Sequence, residues 1–142
     1  MKIINKRAKF DYQFLDRFEA GIVLSGGEVK QIRRNNANIN QAHAKFVNNE
    51  LFLINANITI PGKKDYSPTR PRKLLLHKSE VTSILTQTKA KNLTIIPIRL
   101  YTKDRLIKAE LALAKFKRQV QKKESTKKKD IQRDIERELK NR

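Results

Sequence analysis

Four consecutive residues in the middle of the chain, Arg70-Pro71-Arg72-Lys73, combine three cations with a proline. A guanidinium group is planar and can donate two parallel hydrogen bonds to one phosphate, whereas a lysine ammonium binds phosphate as a point charge. The prolines of this region keep the backbone extended, so that several of these side chains can point in one direction. The motif therefore predicts a phosphate-binding segment. The alternative is that its charges are merely solvated.

A second basic cluster, Lys6-Arg7-Ala8-Lys9, precedes the aromatic residues Phe10 and Tyr12. Aromatic residues make up 6% of the chain, and most of them fall on faces that we predict to be buried. Proteins that bind unpaired bases usually need an exposed aromatic platform. The pattern therefore favours recognition of a folded RNA through its shape and its phosphates.

Residue types that support catalysis or metal binding are scarce. The chain has no cysteine, and its two histidines, His43 and His77, lie far apart without metal-ligand spacing. The carboxylates of Asp134, Glu136 and Glu138 lie in a strongly charged segment and are typical of a solvated surface. We therefore predict that the protein is not an enzyme and needs neither a metal nor another cofactor.

The charge balance restricts the class of partner. The 142 residues include 33 Lys and Arg against 14 Asp and Glu, which gives a net charge of +19. Such a chain repels itself unless an anionic partner, either a nucleic acid or a membrane surface, screens it. It contains no apolar run of about 20 residues and no secretory signal, so we expect a soluble cytoplasmic protein. A membrane surface is the weaker alternative because Ile131, Ile135 and Leu139 form only a thin apolar stripe.

Composition divides the chain into two parts. Residues 114–142 contain 12 basic and 5 acidic residues, and no apolar residue occurs between Gln121 and Asp130. A segment of this kind cannot bury enough apolar surface to offset the entropy lost on ordering. We predict a folded body over residues 1–113 and a basic tail over residues 114–142, which is disordered when free and helical when bound.

The body is predicted to consist mainly of strands. Phe10, Tyr12 and Phe14 alternate with polar residues, and a second apolar run covers residues 18–24. A hairpin turning at Asn48-Asn49 is expected to have residues 51–60 as its second arm. On that arm Phe52, Ile54, Ala56, Ile58 and Ile60 would share one face. Residues 93–101 and 106–114 form another pair around Lys103-Asp104, with Ile107, Ala109, Leu111 and Leu113 facing inward.

Two short helices interrupt these strands. Ser25 and Glu28 have the spacing of a capping box, which predicts a helix over residues 28–34. A second helix is expected over residues 79–90. About six antiparallel strands with short helices favour a closed OB-type β-barrel with peripheral helices. A ferredoxin-like sandwich is less favoured because these helices are too short to cover a sheet.

Several ordered blocks of the sequence resemble the SmpB family, the transfer-messenger RNA-binding proteins of bacterial ribosome rescue. The most specific block covers residues 68–78, PTRPRKLLLHK. The other blocks are NKRA at 5–8, FEAGIVL at 18–24, GGEVK at 26–30, ANI at 37–39, IPIRLY at 96–101 and KAELALAK at 108–115.

The resemblance implies an OB-type barrel and a non-catalytic adaptor in trans-translation. Its body would bind the tRNA-like domain of transfer-messenger RNA, and elongation factor Tu with GTP would travel on the same RNA. The complex would enter the A site of a stalled ribosome, where the tail would lie in the empty mRNA channel near the decoding centre and 16S rRNA. One protein monomer per RNA is expected.

The resemblance also identifies candidate residues for binding the tRNA-like domain. Four residues at RNA-facing positions of the family motifs carry over individually: Glu19, Arg33, Leu75 and His77. Chemistry and position together add Lys6, Arg7, Tyr12, Arg70, Arg72, Lys73 and Lys78. In the tail, the expected ribosome-contacting residues are Lys115, Lys117, Arg118, Val120, Gln121, Lys122, Lys123, Lys127, Lys128 and Lys129.

The tail departs from the family pattern at several positions. Ala112 and Phe116 stand where the family has glycine, Val120 occupies the position of a stacking side chain, and Gln121 begins the triplet that follows. Valine cannot stack on a base as an aromatic ring does, so bulk charge is expected to carry more of the tail's binding. The alternative to the whole assignment is a generic basic OB-fold protein that binds rRNA or single strands.

Overall fold

A computed structural model of the chain describes residues 2–117, while Met1 and residues 118–142 lie outside the described residues. Residues 2–117 fold mainly into β-strands, with three helices of 4, 8 and 14 residues. The elements in chain order are β1 (Lys2–Ile4), α1 (Ala8–Asp11), β2 (Tyr12–Ile22), α2 (Gly26–Arg33), β3 (Ala37–Asn38), β4 (His43–Val47), β5 (Glu50–Ile54), β6 (Asn57–Ile58), β7 (Arg72–Leu75), α3 (Lys78–Lys91), β8 (Thr94–Lys103) and β9 (Leu106–Phe116).

Six strands close into a ring. Going around it, β8 pairs with β4, β4 with β5, β5 with β7, β7 with β2, β2 with β9, and β9 again with β8. All of these pairings are antiparallel. β1 pairs with residues 99–101 of β8, further along that strand than its pairing with β4 at Ile95, and β3 pairs with β6 in a separate two-stranded sheet. Closure gives the ring strands partners on both sides, which limits exposed sheet edges.

The apolar core fills the inside of the ring. On β9 the predicted inward residues Ile107, Ala109, Leu111 and Leu113 are all buried, which confirms the alternation expected for this strand. The strand continues to Phe116, three residues beyond the boundary expected between body and tail. Lys108 and Glu110, at two of the intervening positions, are partly exposed and can contribute to an external surface, whereas Ala112 and Ala114 are buried.

Both predicted helices are present. The Ser25 hydroxyl accepts a hydrogen bond from the Glu28 backbone N–H, and the Glu28 carboxylate accepts one from the Ser25 backbone N–H, so the capping box is confirmed. Ile32 of α2 is completely buried. α3 packs Ile84 into the same core and ends at Lys91, where the left-handed backbone of the next residue, Asn92, terminates the helix.

Three details of the strand prediction were wrong. Phe10 belongs to α1, because the chain makes one helical turn before β2 begins. β5 ends at Ile54, since Asn55 has a φ of 64° that breaks the strand. The buried residues of β5 are Leu51 and Leu53, on the face opposite to the predicted one.

The last hairpin also turns one residue later than expected. Asp104 and Arg105 have positive φ angles of 50° and 67°, whereas Lys103 is the final residue of β8. Within residues 2–117, no helix is long and apolar enough to cross a membrane.

The hairpin between β4 and β5 allows a test of the turn assignment. Asn48 and Asn49 have φ angles of 52° and 62°, as a two-residue type I′ turn requires. Because a β-branched residue is strained at positive φ, Asn49→Val should lower the free energy of unfolding by about 1–2 kcal/mol. Asn49→Gly, the matched control, should leave it equal or slightly higher. Urea denaturation measures both, and a valine variant as stable as the parent would contradict the turn.

Candidate nucleic-acid interface

Three of the four residues carried over from the resemblance lie around one shallow groove on the outside of the ring. Antiparallel pairing of β2 with β7 places Gly21 opposite Leu75, and this brings Glu19 of β2 close to the end of β7. The groove has a volume of about 320 Å³. Its lining comprises Glu19, Ala20, Gly21, Leu75, Leu76, His77, Glu80 and Lys108. The fold thus assembles this site from β2, β7, β9 and the start of α3.

Leu75 is an exposed apolar side chain in the middle of this groove. It is 50% exposed, whereas its neighbour Leu74 is 3% exposed and belongs to the core. The absence of a side chain at Gly21 lets Leu75 lie close to β2, because a Cβ atom at position 21 would stand 3.3 Å from Leu75 Cβ. Leu75 therefore offers apolar surface to a ligand instead of contributing to the core.

His77 marks the junction between β7 and α3. Its backbone N–H donates to the Glu80 carboxylate at 3.1 Å, and its carbonyl accepts from the Val81 N–H at 3.0 Å. The side chain is exposed. These bonds fix the backbone at the rim of the groove, so His77 is presented to solvent from a defined position.

Glu19 is held by its neighbours on β8. The Tyr101 hydroxyl donates a hydrogen bond to Glu19 Oε2, and Lys103 Nζ lies 3.5 Å from Glu19 Oε1. The Tyr101 hydrogen bond and the Lys103 charge lower the pKa of the Glu19 carboxyl below its usual value. Glu19 is therefore an ionised hydrogen-bond acceptor in a strongly basic protein.

Cations also surround the carboxylate of Glu110, which stands directly opposite Glu19 in the β2–β9 pairing. Arg99 Nε lies 3.3 Å from Glu110 Oε1, and the nearest nitrogen of Arg17 lies 3.9 Å from the same oxygen. The Arg99 guanidinium also stacks over the Tyr101 ring, 4.4 Å from its centroid. Two like charges opposed across strands repel, and these cations offset that repulsion.

The structure corrects the prediction for Arg72. Its side chain is fully buried, so it cannot meet a phosphate at the surface. Arg72 Nη2 donates to Glu28 Oε2 at 2.6 Å and to the Pro68 carbonyl at 2.9 Å, and Nη1 donates to the Ala56 carbonyl at 2.6 Å. The proline-containing loop therefore turns this arginine inward, where it joins the loop and β7 to α2.

Glu28 is the acceptor at the centre of this buried network. Besides Arg72, it accepts hydrogen bonds from Arg70, which is only partly exposed and is thus also engaged in the fold. The Tyr66 hydroxyl donates to the Ile58 carbonyl at 2.6 Å and lies 3.0 Å from Glu28 Oε2. Burial by itself would raise the pKa of the Glu28 carboxyl, but these hydrogen bonds and that from Ser25 outweigh it and lower the pKa to about 2.

Three other body cations predicted to bind RNA, Lys73, Lys78 and Arg33, are exposed but do not line this groove. Lys73 pairs with Glu50 at 3.5 Å. Lys78 lies with Lys73 along a neighbouring apolar groove of about 480 Å³ between α3 and β7. Arg33, at the end of α2, donates to the Arg105 carbonyl at 3.2 Å and so lies beside the β8–β9 turn.

A second group of predicted residues gathers at the opposite end of β2. Arg7 and Tyr12 line one cleft, and the Tyr12 ring makes an edge contact with Phe116. Lys117 donates from its backbone to the Asp11 carbonyl at 2.9 Å and from Nζ to the Lys9 carbonyl at 2.7 Å. The exposed residues Lys6 and Lys115 lie in the same N-terminal and β9 segments. The point where the tail leaves the body is therefore basic and aromatic.

The remaining tail residues of the prediction lie outside the described residues. These are Arg118, Val120, Gln121, Lys122, Lys123, Lys127, Lys128 and Lys129. Within the described part of the chain, no three His, Asp or Glu side chains form a group that could hold a metal ion.

Sequence reasoning did not single out Tyr101, Lys103 or Lys108 as parts of the site. The alternation along β9 places Lys108 on the outer face, which was a usable signal. The contact between Tyr101 and Glu19 depends on strand register, and the spacing of residues along the chain does not supply that register.

Comparison with known proteins gives consistent matches over nearly the whole chain. The family model described as "SmpB protein" matches residues 2–141. The SsrA-binding protein of Shouchella clausii is 41% identical over 141 residues, covering 97% of this chain and 90% of its own. The SsrA-binding protein of Mesoplasma florum is 46% identical over 137 residues, covering 92% of this chain and 90% of its own.

A solved structure is also similar. A chain of the structure described as "tmRNA-SmpB: a journey to the center of the bacterial ribosome" superposes with a TM-score of 0.68 and 35% sequence identity. The match covers 94% of each chain.

The buried network makes a prediction about stability. Glu28→Gln leaves the Arg72 guanidinium buried without its counter-charge, so the free energy of unfolding at pH 7 should fall by about 3–5 kcal/mol. Glu50→Gln, the same substitution at an exposed pair, should cost at most about 1 kcal/mol. Urea denaturation of both variants measures the difference, and equal effects would show that the Glu28 pair contributes no more than a surface contact.

The lowered pKa of Glu28 also predicts how stability depends on pH. Its folded-state pKa of about 2 lies below the ordinary 4.5, so its contribution is present above about pH 4.5 and is lost as the pH falls toward 2. Between these pH values the parent should lose more stability than Glu28→Gln, which has no carboxyl to protonate at this position. Parallel pH profiles for the two proteins would contradict this assignment.

Proposed function

Because the chain belongs to the SmpB protein family, we propose that it binds SsrA RNA, the transfer-messenger RNA, and acts in trans-translation, the rescue of stalled bacterial ribosomes. The observation that carries this proposal for the body is the groove where Glu19, Leu75 and His77 meet. Glu19 is remote in sequence from Leu75 and His77, which belong to one block, and all three match positions that the family resemblance identifies as RNA-facing.

The groove has the chemical features needed to bind a folded RNA. Lys108 lines it and Lys103 lies beside Glu19, so two cations can neutralise phosphates. Leu75 provides apolar surface for a sugar or a base. Glu19 would repel phosphate, so its contribution requires a donor such as a base amino group or a ribose 2′-hydroxyl. In this proposal cations supply affinity, while Glu19 and Leu75 supply selectivity for the tRNA-like domain.

We further propose that the closed ring is an OB-type barrel and that the protein divides into an RNA-binding body and a basic ribosome-binding tail. The high content of Lys, Arg, Gln and Glu after residue 118 supports a helix once phosphates neutralise its charge. On the stalled ribosome this tail would lie in the empty mRNA channel near the decoding centre.

The adaptor is proposed to act without catalysis of its own. One monomer would bind each RNA, and elongation factor Tu with GTP would bind the same RNA during delivery to the A site. Among the tail positions, Val120 cannot supply the stacking contact of the family pattern, and Lys123, at the position of the family's arginine, lacks a planar guanidinium. The lysines around them supply charge, so tail binding should depend strongly on salt.

Binding selectivity tests the proposed function of the body. The full chain should bind the tRNA-like domain of transfer-messenger RNA far more tightly than a hairpin of equal length at 200 mM salt. Pure phosphate binding through about six contacts would lose roughly 10³-fold between 50 and 200 mM salt for both RNAs alike. Affinities that remain equal for the two RNAs at both salt concentrations would support the generic RNA binder instead.

Removal of residues 118–142 tests the proposed division of labour. This deletion preserves β9 and its contacts through Lys117. Affinity for the tRNA-like domain should stay within about tenfold of the full chain, because 10 basic residues are lost from outside the groove. Rescue of ribosomes stalled on an mRNA without a stop codon should be abolished.

A tail of identical composition but shuffled sequence is the matched control for that deletion. It keeps the bulk charge and changes every local contact. If the deletion removes RNA affinity while leaving rescue measurable, the assignment of these roles to body and tail is wrong.

A further inference from the structure

We propose that Tyr101 is a positioning residue that orients the Glu19 carboxylate to accept two hydrogen bonds from the Watson–Crick edge of an unpaired guanine in the bound RNA. This inference rests on the proposed function and specifies which chemical group of the RNA the groove selects.

The first support is the geometry around Glu19. An ionised carboxylate has about four lone-pair positions on its two oxygens. The Tyr101 hydroxyl uses one position on Oε2, and Lys103 faces Oε1 at 3.5 Å. Each oxygen therefore retains an acceptor position directed away from β8. Two adjacent acceptors on a fixed carboxylate match a ligand that presents two adjacent donors.

The second support is the chemistry of the four bases. Guanine alone presents two neighbouring donors, N1–H and the N2 amino group, on its Watson–Crick edge. Cytosine and adenine each present one amino donor next to an acceptor nitrogen, and uracil presents one N–H between two carbonyls. A carboxylate facing the latter three bases meets acceptor atoms that repel it. Unpaired bases with accessible edges are the usual targets of sequence-selective RNA recognition.

The third support is how firmly Tyr101 itself is held. Its ring lies under the Arg99 guanidinium, and Arg99 is bound to Glu110 at 3.3 Å. Burial and the bond to Glu19 raise the pKa of the Tyr101 hydroxyl to about 12, so it remains a donor at neutral pH. These contacts, which run from Glu110 through Arg99 and Tyr101, hold the Glu19 carboxylate in place before RNA binds. This reduces the entropy lost on binding.

The test compares RNAs in which each unpaired guanine of the tRNA-like domain is replaced in turn by inosine, which lacks the N2 amino group. Kd values are measured at 200 mM salt. At the one guanine that contacts Glu19, inosine should weaken binding to the parent protein by roughly tenfold, because one of the two hydrogen bonds is lost. The same replacement should change binding to Glu19→Gln by less than about twofold, because that variant no longer makes the paired contact.

Tyr101→Phe tests the positioning role, since it removes the hydroxyl and keeps the ring under Arg99. It should weaken binding to the guanine RNA by roughly five- to tenfold and have no further effect in the Glu19→Gln background. The salt dependence should stay unchanged because no cation is lost. Binding to the control hairpin should also stay unchanged, which a general loss of structure would not allow.

Asp65→Asn, which removes one exposed carboxylate in a loop, is the charge-matched control for Glu19→Gln and should behave like the parent.

If no inosine position distinguishes the parent from Glu19→Gln, the guanine assignment is overturned. Additive effects of Tyr101→Phe and Glu19→Gln overturn the positioning role. Equal binding of the parent to the tRNA-like domain and the hairpin is a different result, which would overturn the proposed function itself.

Discussion

The buried ion pair between Glu28 and Arg72 is the constraint on which the position of the groove depends. It connects three elements that have little else in common: the first turn of α2, the proline-containing loop and the first residue of β7. Two charges removed from water are favourable only when their remaining hydrogen-bonding positions are filled. The Ser25 N–H, Arg70, the Tyr66 hydroxyl and backbone carbonyls fill them, and so the pair defines where β7 begins.

Once the start of β7 is fixed, strand alternation determines which side chains reach the outside of the ring. Arg72 and Leu74 point inward, whereas Lys73 and Leu75 point outward. The pairing of Leu75 with Gly21 then places the exposed leucine beside Glu19, and the β2–β9 and β8–β9 pairings bring Lys108 and Tyr101 to the same surface. A one-residue shift of β7 would bury Leu75 and expose Leu74, so the binding surface depends directly on register.

Local features of the sequence predicted local structure well. The capping box of α2 and the Asn48-Asn49 turn each depend on residues within four positions, and both are present. The buried face of β5 was not predictable in the same way, because one left-handed residue, Asn55, separates two apolar runs that look continuous in the sequence. Arg72 was misassigned because its partner Glu28 lies 44 positions away, and an arginine beside prolines looks the same whether it is buried or exposed.

Methyl cross-saturation NMR on the full, leucine-labelled chain in complex with the tRNA-like domain tests most directly whether the outward face of β7, beside Glu19, binds RNA. Leu74 and Leu75 are adjacent, but one is buried and the other exposed, while Leu15 is an equally exposed leucine elsewhere on β2. Saturating the RNA protons should attenuate the Leu75 methyl signals and leave those of Leu74 and Leu15 nearly unchanged. Attenuation at Leu15 without attenuation at Leu75 would contradict the account.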